Sequence, residues 1–370
     1  MKTPAPLKYS VGIDCSKEEL ETAMILFTTD QRCTIKCTRT FQNVPNGFTA
    51  LDRWIKQNAK FEIPVHIAIE ATGNFHENAV LFLYNQDYHV SVVLPSMSKR
   101  YMQSLGLKSK NDSIDAKGLA RMGAEQRLKK WEPFSKSIYE LRSLTRYYEQ
   151  ITQTRISLNN QLFSVEYNMF QTNIVKAKLK ELIDAIDGQK EEVISKIQML
   201  ISEDPALKER MDKIMRIRGL GLLSIATIIA ETNGFALFEN ARQLTSYAGY
   251  DVVENQSGKR NGKTRISKKG NSHIRRMMYM PALGVVKYGE PHFVQIYERI
   301  YDRTKIKMKA YVAIQRKLLC LIYTLWENNL EYNPDYEKEL SSGNEESNAS
   351  LPPKKKVGKP RGLPTQNGLP

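Results

Sequence analysis

The sequence predicts an α/β domain, then a long helical arm, then a mainly helical C-terminal domain, and three observations carry that prediction. Residues 7–94 order as three strands, a helix, a strand, a helix and a strand. That is the pattern of a mixed sheet whose first three strands are hairpin-linked and whose later strands arrive by right-handed crossovers. Across 137–203 glycine and proline nearly vanish, and Leu141, Leu144, Tyr148, Ile151, Leu158, Leu162, Val165 and Met169 form a heptad-like seam of three-four spacing. From 211 onward, apolar helical stretches meet at a glycine turn, RGLGLL.

The elements follow in order. LKYSVGID (7–14) reads as a strand that carries Asp14 at its end. TAMILF (22–27) and CTIKCTRTF (33–41) have strong β character. In NGFTALDRWIKQNA (46–59), Phe48, Leu51 and Ile55 recur at helical spacing. VHIAIEATG (65–73) is a buried strand with Glu70 at its end and Gly73 at the turn, and a helix runs on to Asn85. HVSVVL (89–94) is the fifth strand, closed by Pro95, and Asp112 opens the next helix, along which Ile114, Leu119 and Met122 keep helical spacing.

The heptad run makes one long helix, with Arg155 interrupting its seam, and Val175 to Ile201 makes a second. Two helices that bury only a stripe pair with each other or with a second subunit. A coiled-coil arm for oligomerisation is the first expectation and an intramolecular hairpin the other. Pro205 marks a boundary, and residues 211–231 read as helix, glycine hairpin, helix. There Gly219 and Gly221 either leave amides free to hold a DNA phosphate or make a plain packing turn. A helix at 239–248 ends at Gly249, a basic helix begins after Asn271, and two more helices lie near 291–301 and 305–328. The expected domains are 1–133, 134–205 and 206–335, followed by a Pro-, Gly- and Lys-rich tail, 336–370, read as disordered.

Composition narrows the partners. The chain has 370 residues, 41% of them apolar, enough for two or three domains with a sizeable core. Lys plus Arg is 55 against 40 Asp plus Glu, a net charge of +15 that favours a polyanionic partner. No apolar run approaches the ~20 residues of a membrane span, and MKTPAPLKYS lacks the apolar core of a signal peptide. A cytoplasmic, nucleoid-associated protein with no membrane partner is therefore expected. Cys15, Cys33, Cys37 and Cys320 show no CxxC spacing, and the histidines are scattered, so a zinc site is not predicted.

The candidate chemistry centres on KSKNDSIDAKGLAR, residues 108–121. Asp112 and Asp115 stand three apart and share a helix face. Nine Lys/Arg against three Asp/Glu lie between Lys99 and Lys130. Two carboxylates in a cationic segment suit Mg²⁺ held beside a phosphate backbone. The same pair suits an N-cap with a capping-box acid at a positive helix end. Asp14 and Glu70 add two more acids at the carboxyl ends of strands, where α/β folds put their sites. Further on, ENQSGKRNGKTRISKKGNSHIRR (254–276) reads as a basic loop with Ser257 at its head. Ser257 is either a nucleophile among cations that stabilise phosphoryl charge or part of a phosphate-binding loop. The candidate nucleic-acid contacts are Lys108, Lys110, Lys117 and Arg121 around the acids, Gly219 and Gly221 at the glycine hairpin, and Lys259, Arg260, Lys263, Arg265, Lys268, Lys269, Arg275 and Arg276 around the serine.

GIDCSK around Asp14, IEATG around Glu70 and KNDSIDAKGLA around Asp112 and Asp115 resemble the DEDD-type insertion-sequence transposases, the group that includes Piv-type DNA invertases and bridge-RNA-guided recombinases (the IS-one-ten group). RGLGLLSIATIIAE, ARQLTSYAGY, QSGK and ISKKGNSHIRRMM resemble that family's C-terminal transposase domain, so the likeness covers nearly all of residues 8–330. Departures are Asn111, where a threonine often precedes the third acid, and the longer tail. The resemblance implies an RNase H-like, RuvC-like N-terminal domain. Asp14, Glu70, Asp112 and Asp115 would bind divalent metal, expected as two Mg²⁺ ions. Ser257 would be the catalytic serine that forms a covalent link to DNA phosphate. It also implies dimers or tetramers, with the metal domain of one subunit completed by the serine domain of another, and a structured guide (bridge) RNA that pairs with donor and target DNA. Competing readings are a metal nuclease of the junction-resolvase type that uses water, an actin-like kinase, for which further glycine-rich phosphate loops are missing, and a nucleic-acid-binding scaffold whose acids are caps.

Overall fold

Three long antiparallel strands open the structure: β1 (Pro6–Cys15), β2 (Glu19–Thr28) and β3 (Cys33–Gln42). Then come α1 (Pro45–Asn58), β4 (Val65–Glu70), α2 (Glu77–Asn85), β5 (His89–Val93), α3 (Pro95–Ser104) and α4 (Asp112–Glu125). The computed structural model describes residues 4–71, 73–106, 112–170, 172–253, 256–257, 260–262 and 264–335, with the side chains of Asp112, Gln256, Ser257, Arg260 and Asn261 outside that description. The predicted tail at 336–370 also lies outside it. The chain divides into two compact units, Met1–Ser135 and Lys136–Pro370.

In the first unit the strands order as β3-β2-β1-β4-β5, with β1 antiparallel to β2 and parallel to β4. This mixed sheet, three hairpin-linked strands and two crossover strands, is the RNase H-like arrangement. Alternation along the strands divides it into two faces. Tyr9, Val11, Ile13, Ile67 and Ile69 face one side and pack against Phe48, Leu51, Ile55, Val80 and Leu83 of α1 and α2. The other face carries small residues and receives α4, whose Ala116, Ala120 and Ala124 meet Ala23 and Ile25, and whose Leu119 and Met122 meet Ala68 and Val93. Helix α3 was not expected from the sequence. Pro95 at its first turn pre-sets the helical φ, but PSMSKRYMQS has too little apolar periodicity to announce itself.

In the second unit, α5 (Lys136–Glu166) and α6 (Asn173–Ser202) lie against each other. Of the seam residues, Leu141 and Ile151 are buried within this unit, while Met169 at the far end is 91% exposed. Arg155, the residue that breaks the seam, makes a two-pronged pair with Asp187 of α6 at 2.5 and 2.7 Å. Tyr147 donates to Gln189 at 3.0 Å and Lys176 pairs with Glu166 at 2.8 Å. The remaining helices are α7 (Pro205–Met215), α8 (Leu222–Thr232) and α9 (Ala241–Tyr247) before the basic segment, and α10 (Ser272–Met277), α11 (Tyr279–Lys287), α12 (Pro291–Thr304) and α13 (Lys307–Glu327) after it. One core joins them, from Leu141 of α5 and Ile197 of α6 through Ile228 and Phe235 to Leu318 and Ile322.

Between α9 and α10, where a loop is expected, the described residues form two short antiparallel strand pairs, which make up the ribbon. β6 (Val252–Val253) pairs with β9 (Arg265–Ile266), and β7 (Gln256–Ser257) pairs with β8 (Arg260–Asn261). Strands of two residues carry no readable alternation, so the polar and glycine content masked them. Among the described residues no helix is long and apolar enough to cross a membrane.

Candidate active site

The site begins with register. Ile13 of β1 lies opposite Ile69 of β4 in the parallel pair, so Asp14 and Glu70 are the next residues on each strand. Both face the α4 side, because Gly12 and Ala68, two positions earlier, do so. A Cβ on Gly12 would collide with the Ala116 carbonyl oxygen and the Ala120 amide nitrogen of α4. A Cβ on Gly123 would lie 2.6 Å from Ser10 Oγ and 3.1 Å from Ala68 Cβ. Helix α4 thus runs antiparallel to β1, with its C-terminal half over Ser10 and Ala68 and its N-terminal turn toward Asp14 and Glu70. Lys8 Nζ donates to the Gly123 carbonyl oxygen at 3.0 Å, placing a cation at the negative end of the helix.

Asp115 stands in that N-terminal turn, one residue before the Ala116 contact, and is half-buried. Asp112 is the first residue of α4. Glu70 is held from the side: Ser98 Oγ on α3, 1% exposed, donates to Glu70 Oε2 at 2.5 Å. Register adds a carboxylate that sequence reading missed. Glu21 of β2 lies opposite Asp14 on the same face, and its Oε1 accepts from Thr40 at 2.7 Å. Burial pushes the Cys15 thiol up, and the charges of Asp14 and Glu70 push it further, so both carboxylates act on one buried spot.

Among the described residues no three His, Cys, Asp or Glu side chains are gathered closely enough to hold an ion. The side chain of the fourth predicted acid, Asp112, lies outside the described residues. The donor set at the sheet edge is nevertheless all carboxylate oxygen, the kind a hard divalent cation takes. Asp14 and Glu70 would hold such an ion, with Asp115 offered from α4, and the ion would neutralise phosphate charge.

The predicted basic contacts separate into kinds. Lys108, Lys110, Lys259 and Lys263 lie outside the described residues. Lys117 is half-exposed, and Arg265, Lys268 and Lys269 are exposed. Arg121 is engaged by Glu125 at 2.6 Å, Arg275 Nη1 donates to the Ala248 carbonyl oxygen at 2.8 Å, and Arg276 pairs with Glu149. Gly219, at φ +94°, packs against the backbone of Gly284 and Val285 on α11, whereas Gly221 faces open space at the start of α8. Ser257 of β7 lies opposite Arg260 of β8.

An RNase H-like sheet that sets carboxylates at the ends of its central parallel strands, under a helix that opens with two more, defines a class of enzymes that act on nucleic acid. Two family models match this chain: a DEDD-type IS110 model described as a transposase, over residues 11–166, and one described as the IS116/IS110/IS902 transposase family, over residues 211–298. Together they span well over half of the chain, and the protein belongs to the IS110 transposase family. It is similar to the pilin gene-inverting protein of Moraxella bovis, 28% identical over 330 residues that cover 88% of this chain and 98% of the relative. A probable family 20 transposase of Pseudomonas aeruginosa is 19% identical over 248 residues, covering 60% and 72%. Among solved structures, Thermus thermophilus RuvC aligns with 33% of this chain and 99% of its own at 14% identity, with a TM-score of 0.25. The family makes this protein an enzyme of DNA recombination.

Proposed function

We propose that the protein cleaves and rejoins DNA strands through a covalent link to Ser257, in a reaction that depends on Mg²⁺ held by Asp14, Glu70, Asp112 and Asp115. The observation that carries this reading is the adjacent register of Asp14 and Glu70 beneath the N-terminal turn of α4. A bound divalent ion would withdraw charge from the scissile phosphate and stabilise the leaving oxygen. The chain's own residues do the rest. The carboxylates orient and hold. Ser257 Oγ forms a bond to phosphorus as the bond from phosphorus to a sugar oxygen breaks, and the proton lost by Oγ ends on that oxygen. A sugar hydroxyl of another strand then attacks the same phosphorus and returns the proton to Ser257. The bond energy is conserved, so rejoining needs no ATP. Exposed Arg265, Lys268 and Lys269 supply the cationic approach for the DNA backbone.

The same reading includes a guide RNA and a homo-oligomer, dimer or tetramer. The charge of +15 suits two polyanions. Phe163, Met169 and Phe170, 60%, 91% and 84% exposed at the turn between α5 and α6, suit burial against another copy. The inverting function in the name of the Moraxella relative makes inversion as well as transposition a candidate outcome. The alternative is a metal-dependent nuclease of the junction-resolvase kind that uses water, with Ser257 as a phosphate contact. The experiment is strand cleavage of a suicide DNA substrate in the presence of Mg²⁺ and the element's structured RNA. Asp14→Asn and Glu70→Gln should each abolish cleavage and leave DNA binding in place. Retained cleavage in either variant removes the metal site from the reading.

A further inference from the structure

Two carboxylates of the second unit are almost wholly removed from water and take no part in the chemistry above. The Glu231 side chain on α8 is 1% exposed, and the Glu149 side chain on α5 is 6% exposed. Arg146 of α5 grips Glu231 with two prongs, Nε at 2.6 Å and Nη2 at 2.9 Å. Asn271 Nδ2 donates to Glu231 Oε2 at 2.6 Å. Although burial opposes it, the Arg146 fork holds the Glu231 carboxyl below the usual carboxylate range. One helical turn further along α5, Glu149 Oε2 lies 2.6 Å from His273 Nδ1, and Arg276 pairs with the same carboxylate.

Buried ion pairs of this kind are poor sources of stability. Apolar residues of similar volume often do as well or better, and in some proteins what such a pair contributes is a fixed geometry. The geometry here is one-sided. Arg146, Glu149 and Glu231 come from α5 and α8. Asn271, His273 and Arg276 all come from residues 271–276, which follow soon after the Ser257 ribbon. The root of that ribbon is laced shut just before them: Ser267 N donates to Asp251 O at 2.7 Å, Lys268 N to Gly249 O at 3.1 Å and Asn271 N to Tyr247 O at 2.7 Å. Gly270 passes so close to the Tyr247 carbonyl that no Cβ fits. Asn271 belongs to both parts. Its Oδ1 caps α10 by accepting from Ile274 N at 3.1 Å, and its Nδ2 reaches Glu231.

We infer that Arg146, Glu231 and Asn271 are positioning residues that fix the root of the β6–β9 strand pair against α5 and α8 and so aim Ser257 of β7. The ribbon leaves a rigid floor, and its direction is set by the arm helix α5. This rests on the reading of Ser257 as nucleophile for its consequence, but the mechanical link stands on its own contacts.

Asn271→Ser separates the two tasks of the side chain. Serine still caps a helix but is too short to reach Glu231. Asn271→Asp sets a second carboxylate against Glu231 Oε2, the atom that also accepts from Arg146 Nη2. Hydrogen exchange of the full-length protein, followed over the peptide 249–271, reads the root directly. Both variants should exchange there about tenfold faster or more. In the suicide-substrate assay the single variants should bind DNA normally yet form about tenfold less covalent adduct, because a misaimed nucleophile loses rate rather than affinity. Root exchange equal to wild type in Asn271→Ser would overturn the link. A loosened root with unchanged adduct yield would overturn the aiming role while leaving Ser257 as nucleophile. Should Ser257→Ala itself still form adduct, the nucleophile assignment fails, and the exchange result alone decides the link.

Discussion

Ser98 Oγ donates a hydrogen bond of 2.5 Å to Glu70 Oε2, and the donor is buried in the first turn of α3 while the acceptor closes strand β4. The bond holds one carboxylate oxygen in place and leaves the other for the face that α4 covers. Ser98→Ala should therefore keep the fold, at a cost of about 1 kcal/mol, but raise the Mg²⁺ concentration for half-maximal cleavage several-fold. A Mg²⁺ titration of cleavage rate, with the thermal midpoint measured alongside, checks this. An unchanged Mg²⁺ requirement would make Ser98 only a packing residue.

Gly12 is the contact on which α4 rests. Gly12→Ala puts a methyl group where the Ala116 carbonyl and the Ala120 amide already lie. Neither is a flexible side-chain end, so the helix must lift from the sheet. Urea denaturation should show a loss of about 3 kcal/mol, the upper end of the ordinary overpacking range. A loss below about 1 kcal/mol would mean that α4 shifts easily, and with it the placement of Asp115.

The histidine pair at the other end of β4 and β5 predicts a pH dependence. His66 and His89 stack with ring centroids 4.3 Å apart. Burial, with the neighbouring His89 and Lys8 charges, lowers the His66 imidazole from its ordinary 6.5 to about 4. The folded form is thus the weaker proton binder. Stability is full above pH 6.5 and is lost as pH falls toward 4. The ring is half-exposed, so solvent screening reduces the effect to on the order of 1 kcal/mol. Urea midpoints at pH 7 and pH 5 should differ in wild type and differ less in His66→Phe, which keeps the stacked ring, the remainder coming from His89 and His273, whose burial also lowers them. A midpoint that rises on acidification would reverse the sign and refute the account of His66.

The apolar cluster at the turn between α5 and α6 bears on assembly. Phe163→Ser with Phe170→Ser removes two large exposed side chains and disturbs no buried one. Light scattering should report a lower oligomeric state at equal concentration. Unchanged mass in the folded variant would move the oligomer interface elsewhere.

Much of the first unit was legible because its information is local. Apolar strands ended by Asp14 and Glu70, and a helix opened by Asp112, can be read one element at a time. Glu21 was missed because only the pairing of β1 with β2 sets it beside Asp14. Ser98 was missed because α3 has one weak signal, Pro95. In the second unit the seam on α5 was visible, but its partner was not: a heptad pattern is the same for a neighbouring helix and a neighbouring subunit. The Arg155–Asp187 pair joins α5 to α6 and could be found only from the structure. The Glu149 and Glu231 network was invisible because its members come from distant parts of the chain, His273 lying 124 residues from Glu149. The ribbon around Ser257 is built from strands too short to carry a period.

The central claim is the serine link, and the most direct measurement is the site of attachment itself. Wild-type protein is incubated with a suicide DNA substrate, Mg²⁺ and the element's RNA, denatured, digested, and the DNA-bearing peptide identified by mass spectrometry. The account predicts a phosphodiester on Ser257, lost in Ser257→Ala with DNA affinity and its salt dependence unchanged, since that slope counts neutralised phosphates and the substitution removes no charge. Cleavage at a normal rate by Ser257→Ala, with no adduct in either protein, would contradict it and leave water as the nucleophile.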